Sequence, residues 1–287
     1  MNNEILMRFL PALGLLLASL SISAALPEHN PTPGGVALVP IGPVTGEQPP
    51  KAHYYGKRVT VVKDEDQWVA LVGIPLNGKA GPDKLKVGER KVPFEVKHRD
   101  YPEQWLTIKN KRKVNPNPED LKRIRKEVAP QRAAKRHFDE NTWPDLVMHK
   151  PVEGPYSSHF GLKRFFNEQP RKPHGGLDIA ADTGTPIQAP APGLVVEAGD
   201  FFFNGNSVFI DHGQGVISFY CHMNSISVEP GQRVERGQTI GTVGATGRVT
   251  GPHLHWSVGL NGTWVDPSLF MPEDQRPEAW SASENSH

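Results

Sequence analysis

Gly244-Ala-Thr-Gly-Arg-Val-Thr-Gly-Pro-His253-Leu-His255-Trp-Ser-Val258 reads as a glycine-rich loop running into a strand. Residues two apart on a strand share a face, so His253 and His255 project into one pocket while Leu254 points the other way, into a core. A lone pair of this kind is more often a hydrogen-bonded structural feature than a ligand pair. Two further segments change the reading. His174-Gly-Gly-Leu-Asp178 and Tyr220-Cys-His222-Met223 place three more metal-competent side chains in the same half of the chain. His174 and Asp178 are four apart, as on one helix face, but Gly175-Gly176 disfavours a helix and predicts a loop entering a short strand.

Two neutral imidazoles and one carboxylate make a tetrahedral zinc site with an open fourth position, the arrangement that holds and acidifies a water. His174, Asp178 and His255 fit that set, with His222 and His253 close by in the pattern. No His-Glu-x-x-His helix is present, so a histidine is left to carry the proton work.

These blocks, with Ser158-His-Phe160-Gly161 ahead of them, resemble the lysostaphin-type (LytM-like) zinc endopeptidases, which cut the peptide part of bacterial cell walls. The resemblance covers roughly residues 150–270, and the last block is its most specific part. It implies one zinc ion held by His174, Asp178 and His255, with His222 and His253 as the catalytic pair. His253 is favoured as general base and His222 as oxyanion stabiliser, two roles that the sequence does not separate. Arg164 and Asn167, ahead of the first ligand, become candidate substrate contacts along one wall of the groove. Met223 stands where the family usually has leucine, a swap that keeps volume and apolarity. The implied partner is peptidoglycan, cut at D-alanyl–diaminopimelate crosslinks in a Gram-negative periplasm or, for a secreted enzyme, at other bridges. The alternative within the same fold is a non-catalytic activator of a cell-wall amidase, and a regulatory periplasmic protein is a possible further partner. Members of that second kind lack some of the five residues, and this chain keeps them all.

The rest of the chain sets the frame. At 287 residues there is room for about two domains, and a formal net charge of +1 gives no basic footprint for nucleic acid. The 28 glycines and 28 prolines predict a chain rich in turns and strands, a mainly β fold. Residues 1–25 read as a signal peptide: Arg8, the apolar run Phe9–Leu20, and small residues at Ser23 and Ala25. The run is short for a membrane span of about 20 residues. Residues 26–51 form a Pro/Gly-rich lead-in whose apolar run, Val36–Ile41, suits an edge strand. Between 52 and 112, strand signals recur at Arg58–Val62, Trp68–Ile74, Val92–Val96 and Trp105–Ile108, which predicts a small antiparallel β-sandwich.

A helical linker is expected over 113–150. Asn117 caps it, Pro118 opens it, Leu121, Ile124 and Val128 form a stripe, and Ala129-Pro130 ends or kinks it. Residues 151–270 are the candidate zinc peptidase domain, antiparallel β around a groove, and 271–287 a polar, disordered tail. Within the 151–270 domain, His212 follows a strand end and is not expected to be a ligand. Cys221 is the one cysteine, so no intrachain disulfide forms, and strand alternation turns it away from the face of His222 into the core.

Overall fold

β-branched and aromatic runs broken by glycine turns set the pattern of the N-terminal half. In the computed structural model, which describes residues 25–278, this half holds β1 (Val36–Pro43), β2 (Ala52–Tyr54), β3 (Lys57–Arg58), β4 (Thr60–Asp64), β5 (Gln67–Gly73), β6 (Gly81–Val87) and β7 (Arg90–Val96). They form two antiparallel sheets, β1-β5-β4 and β3-β2-β6-β7. A core of Ala37, Val39, Val61, Trp68, Ala70, Val72 and Leu85 lies between them, as a sandwich requires. The lead-in is thus part of this half: β1 is an edge strand, bulged between Pro40 and Gly42. The signal-peptide reading of 1–25 falls, but for its last residue, outside the described residues.

Alternation along β1 and β5 sends the other set of side chains outward. Val36, Val62, Val69 and Leu71 join the core of the C-terminal half, so the β1-β5-β4 sheet is covered on both faces. That explains the unbroken burial of Trp68–Gly73. Polar contacts reinforce the junction. Asn261 receives the Gly73 N–H at 2.8 Å and donates to its carbonyl at 3.1 Å. The Gln214 carboxamide takes the Val61 N–H at 3.0 Å.

The chain then passes through β8 (Glu103–Leu106), α1 (Lys111–Val114) and α2 (Pro118–Lys135). Asn117 caps α2 as expected, and it also forms a capping box with Asp120. Two details differ from expectation. Helix α2 runs through Pro130 to Lys135, and Leu121 and Val128 are exposed. The helix is held by its polar side: Arg123 reaches Asp200, Glu127 accepts the Phe202 N–H, Gln131 meets Asn204, and Lys135 sits over Trp264. Those tertiary contacts carry it past a residue that would break an isolated helix.

The C-terminal half continues with β9 (Tyr156–Ser158), β10 (Lys163–Phe166), β11 (Gln169–Pro170), β12 (Leu177–Ile179), β13 (Pro186–Gln188), β14 (Gly193–Phe201), β15 (Gly205–Asp211) and β16 (Ile217–Met223). It ends with β17 (Ser225–Ile226), β18 (Arg233–Val234), β19 (Thr239–Thr242), β20 (Leu254–Leu260) and β21 (Thr263–Val265). The main sheet runs β18-β14-β15-β16-β20-β12-β9, with β21 added to β20, and a smaller sheet β13-β19-β17 stands apart from it. Leu177, Ile179, Val208, Ile210, Tyr220, Leu254, Trp256 and Val258 pack the inner face of the main sheet. Strand β8 pairs in parallel with β10, stitching the inter-domain segment onto the wall before the first predicted ligand.

The start of the expected disordered tail is ordered. Met271 is buried, Tyr156 donates its hydroxyl to the Gln275 carbonyl at 2.6 Å, and Arg276 pairs with Glu28. An apolar Met271 next to Phe270 still has core to fill, which carries the chain a turn further than its polar composition suggests. The rest of that segment lies beyond the described residues.

Candidate metal centre and active site

Register assembles the centre. Antiparallel pairing sets Asp178 opposite Ser158 on one side and opposite His255 on the other, and His255 opposite Cys221. Directly opposed residues share a face, so one row crosses β9, β12, β20 and β16. His174 enters from the loop before β12, as Gly175-Gly176 predicted. A Cβ at Gly176 would come within 2.3 Å of the Trp256 carbonyl oxygen, so only glycine lets that loop close on β20. His174 Nε2 then lies 2.9 Å from both Asp178 Oδ1 and His255 Nδ1, and His255 Nδ1 is 2.7 Å from Asp178 Oδ1.

The protons follow from the partners. His174 Nδ1 faces the His159 carbonyl at 2.6 Å; a carbonyl only accepts, so Nδ1 carries the hydrogen and Nε2 presents a lone pair. Burial, with Arg164 adding, pulls the His174 pKa down to about 3, so the ring is neutral. Burial would push the Asp178 carboxyl up, but His174 and the Arg164 guanidinium outweigh it and hold the group well below the usual carboxylate range. A carboxylate and two ring nitrogens thus converge with fewer protons than lone pairs. That donor set fits a divalent cation, with two N and one O ligand as zinc takes.

His222 and His253 flank this cluster. Each donates Nδ1–H to a backbone carbonyl, His222 to Thr246 at 2.8 Å and His253 to Gly251 at 2.9 Å. Both therefore turn Nε2 elsewhere; that of His253 is 3.9 Å from Asp178 Oδ1. The ring centroids of the pair are 5.0 Å apart. Burial, then His253 and His255, depress the pKa of His222 well below its ordinary value.

His222 reaches this face by breaking the strand pattern. Cys221 stands opposite His255 and packs with Phe219 and Phe209, while Tyr220 and Met223 fill the inner core. Regular alternation would put His222 in that inner core too. Its backbone is left-handed, φ 65°, beside an irregularity in the β15–β16 register, and this swings the ring to the side of His255. Cys221 and His222 therefore lie on the same side, contrary to the alternation argument. Cys221 is nonetheless a buried core residue, its thiol pKa raised by that burial.

The other two predicted site residues take contacts within the chain. Arg164 donates to Asp178 Oδ2 at 2.6 Å and to Ser158 Oγ at 3.0 Å, leaving Oδ1 for the cluster. Asn167 bonds both backbone groups of Ile108 and holds the turn after β10. Gln104, which the sequence did not single out, accepts from Arg164 Nε at 3.0 Å and from Ser158 Oγ at 3.3 Å. Its signal is invisible in sequence because its partners lie some 50–60 positions downstream through a parallel pairing. His212 is buried between the Pro192 carbonyl and Ser218, away from the cluster. An open cavity of about 470 Å³ has Ala180, Asp182, Thr185 and Pro252 in its walls and none of the five site residues.

The profile of Peptidase family M23 matches residues 172–267, and that of the Peptidase family M23 N-terminal domain matches residues 29–99. The peptidoglycan DD-endopeptidase ShyC of Vibrio cholerae is 46% identical over 105 residues, 36% of this chain and 24% of that relative. The DD-carboxypeptidase/endopeptidase Mpg of Neisseria meningitidis is 39% identical over 128 residues, 44% of this chain and 30% of the relative. The matched segment thus spans less than a third of either curated relative. The crystal structure of a putative peptidase M23 from Pseudomonas aeruginosa is 47% identical with a TM-score of 0.70, covering 84% of this chain and 95% of that one.

Proposed function

The chain belongs to peptidase family M23, and on that premise we propose that it is a zinc-dependent endopeptidase of bacterial peptidoglycan, cutting D-alanyl–diaminopimelate crosslinks. The observation that carries the reading is the convergence of His174 Nε2, Asp178 Oδ1 and His255 Nδ1 within 2.9 Å of one another, flanked by two histidines with free Nε2 atoms. The names of the curated relatives support the choice of bond. The complete set of five residues speaks against the amidase-activator alternative. A periplasmic location agrees with the leader expected over residues 1–25.

Zinc held by His174, Asp178 and His255 would lower the pKa of a bound water toward about 7 and polarise the scissile carbonyl. His253 accepts a proton from the attacking water at Nε2, with its Nδ1–H anchored on Gly251. The same ring returns that proton to the amine nitrogen as the C–N bond breaks, giving a carboxylate and an amine. His222 Nε2 first accepts a hydrogen bond from the attacking water and orients it. It then takes the water's second proton, donates the resulting N–H to the developing oxyanion, and releases that proton to solvent once the carboxylate has formed. Arg164 and Ser158, braced by Gln104, keep Asp178 aimed at the cluster.

The test separates ligands from catalytic histidines. His255→Ala should lose both bound zinc, measured by elemental analysis, and turnover. His222→Ala should keep one zinc per chain while kcat falls by about 10²–10³. Loss of zinc from the His222 variant would move that residue into the ligand set and refute the assignment.

A further inference from the structure

Three parts of the chain meet at a second cavity, of about 420 Å³, among neither the predicted ligands nor the catalytic pair. The hairpin turn Tyr55–Arg58 comes from the N-terminal half, Arg136–Phe138 follow α2, and Gly215 and Asn261-Gly262 are turns of the C-terminal half. Its lining is basic, and the cations are unequally matched. Arg58 pairs with Glu140 at 3.3 Å and His137 with Asp211. Lys57 and Arg136 have no carboxylate within 4.0 Å among the described residues, nor has Lys135, whose ammonium lies 4.0 Å over the Trp264 ring. The Nε of Arg58 is buried with no acceptor.

Like charges gathered without counter-charge oppose folding, and a buried donor without an acceptor does the same. Lys135 registers the field: burial first, then Lys57, Lys172 and Arg136, bring its pKa down to about 7. Lys57 is lowered in the same direction by burial and by Arg136. A polyvalent oxyanion would supply the missing counter-charge at Lys57 and Arg136, both of which are exposed to it.

We propose that this cavity binds the phosphate group of a small phosphorylated ligand, held by Lys57 and Arg136. Two uncompensated cations match a phosphate dianion better than a single carboxylate. The volume of about 420 Å³ admits a phosphate with a sugar-sized substituent. Binding would tie the N-terminal hairpin and the linker to the peptidase half.

Thermal unfolding of the full, zinc-loaded chain tests the site, with inorganic phosphate, glucose 6-phosphate and sodium chloride at matched ionic strength. At a hundredfold excess over Kd, either phosphate should raise Tm by about 5 °C, beyond any rise with chloride. Greater potency of glucose 6-phosphate identifies a sugar phosphate as the ligand class; equal potency identifies free phosphate. Lys57→Gln with Arg136→Gln should abolish the difference from chloride, and each single replacement should reduce it. Removing unmatched charge should leave the phosphate-free Tm of these variants at or above that of the parent. Lys84→Gln, on the exposed side of β6, should keep the whole response. Phosphate bound at the metal centre would act equally on all these variants. A phosphate response of the same size in the double variant, or none beyond chloride in the parent, would overturn the proposal.

Discussion

Replacing His222 by glycine should leave a more stable protein than replacing it by alanine, the reverse of the usual order within a strand. Both variants lose the ring and its bond to the Thr246 carbonyl, so those losses cancel in the comparison. What remains is the backbone. At φ 65° an L-residue with a Cβ carries about 1–2 kcal/mol that glycine escapes. Against this, glycine gains freedom in the unfolded chain worth about 0.5–1 kcal/mol. The difference favours His222→Gly by about 0.5–1 kcal/mol. Urea unfolding of the two metal-free variants, at an m of about 2.5 kcal/mol/M, should separate their midpoints by about 0.3 M. Equal midpoints, or alanine the more stable, would refute the claim that a left-handed residue turns this histidine out of the core. The native ring sits there at a cost in stability, as functional side chains in strained backbone do.

Other parts of the structure make further predictions. Arg164→Gln removes the cation beside a buried carboxylate and should cost the metal-free fold about 3–5 kcal/mol in urea unfolding; a loss below about 1 kcal/mol would show that Asp178 does not depend on it. Asn261→Ala leaves the N–H and carbonyl of Gly73 without their partner and should cost about 2–4 kcal/mol, read in the same assay. His212 is buried with its pKa lowered, chiefly by that burial. Below about pH 6.5 the unfolded ring binds a proton that the folded ring refuses, so stability falls as pH drops, by up to about 1.4 kcal/mol per unit from this group. His212→Gln should reduce the proton uptake on unfolding, by about half a proton at most at pH 6.5 and by more toward pH 5, and an unchanged uptake would contradict the assignment.

How far the sequence carries depends on how local each signal is. The His253–His255 pair is legible because its spacing is local, on alternate positions of a strand, and so is the Gly-Gly pair that disfavours a helix between His174 and Asp178. That these join His222 in one site of five was legible only through the resemblance to the lysostaphin-type enzymes. The cap at Asn117 and the strand runs of the N-terminal half are local in the same way. The fate of Pro130 is not, because α2 survives it through contacts with Asp200, Phe202 and Asn204, some 70 positions along the chain. Gln104 is hidden for the same reason. The side of the sheet taken by His222 is obscured differently: a rule of alternation holds until one residue leaves the β region, and nothing in Tyr-Cys-His-Met announces it. The outward face of β1-β5-β4 was equally hard to place, since continuous apolar runs do not say which second layer covers them.

The central claim is hydrolysis of crosslinks by a metal held at His174, Asp178 and His255. The most direct measurement is mass spectrometry of muropeptides from purified crosslinked sacculi incubated with the chain lacking residues 1–25, with and without chelator. Conversion of crosslinked dimers to monomers, abolished by chelator and restored by zinc, is the result the account predicts. Dimers cleaved equally well in chelator, or by His255→Ala, would contradict it.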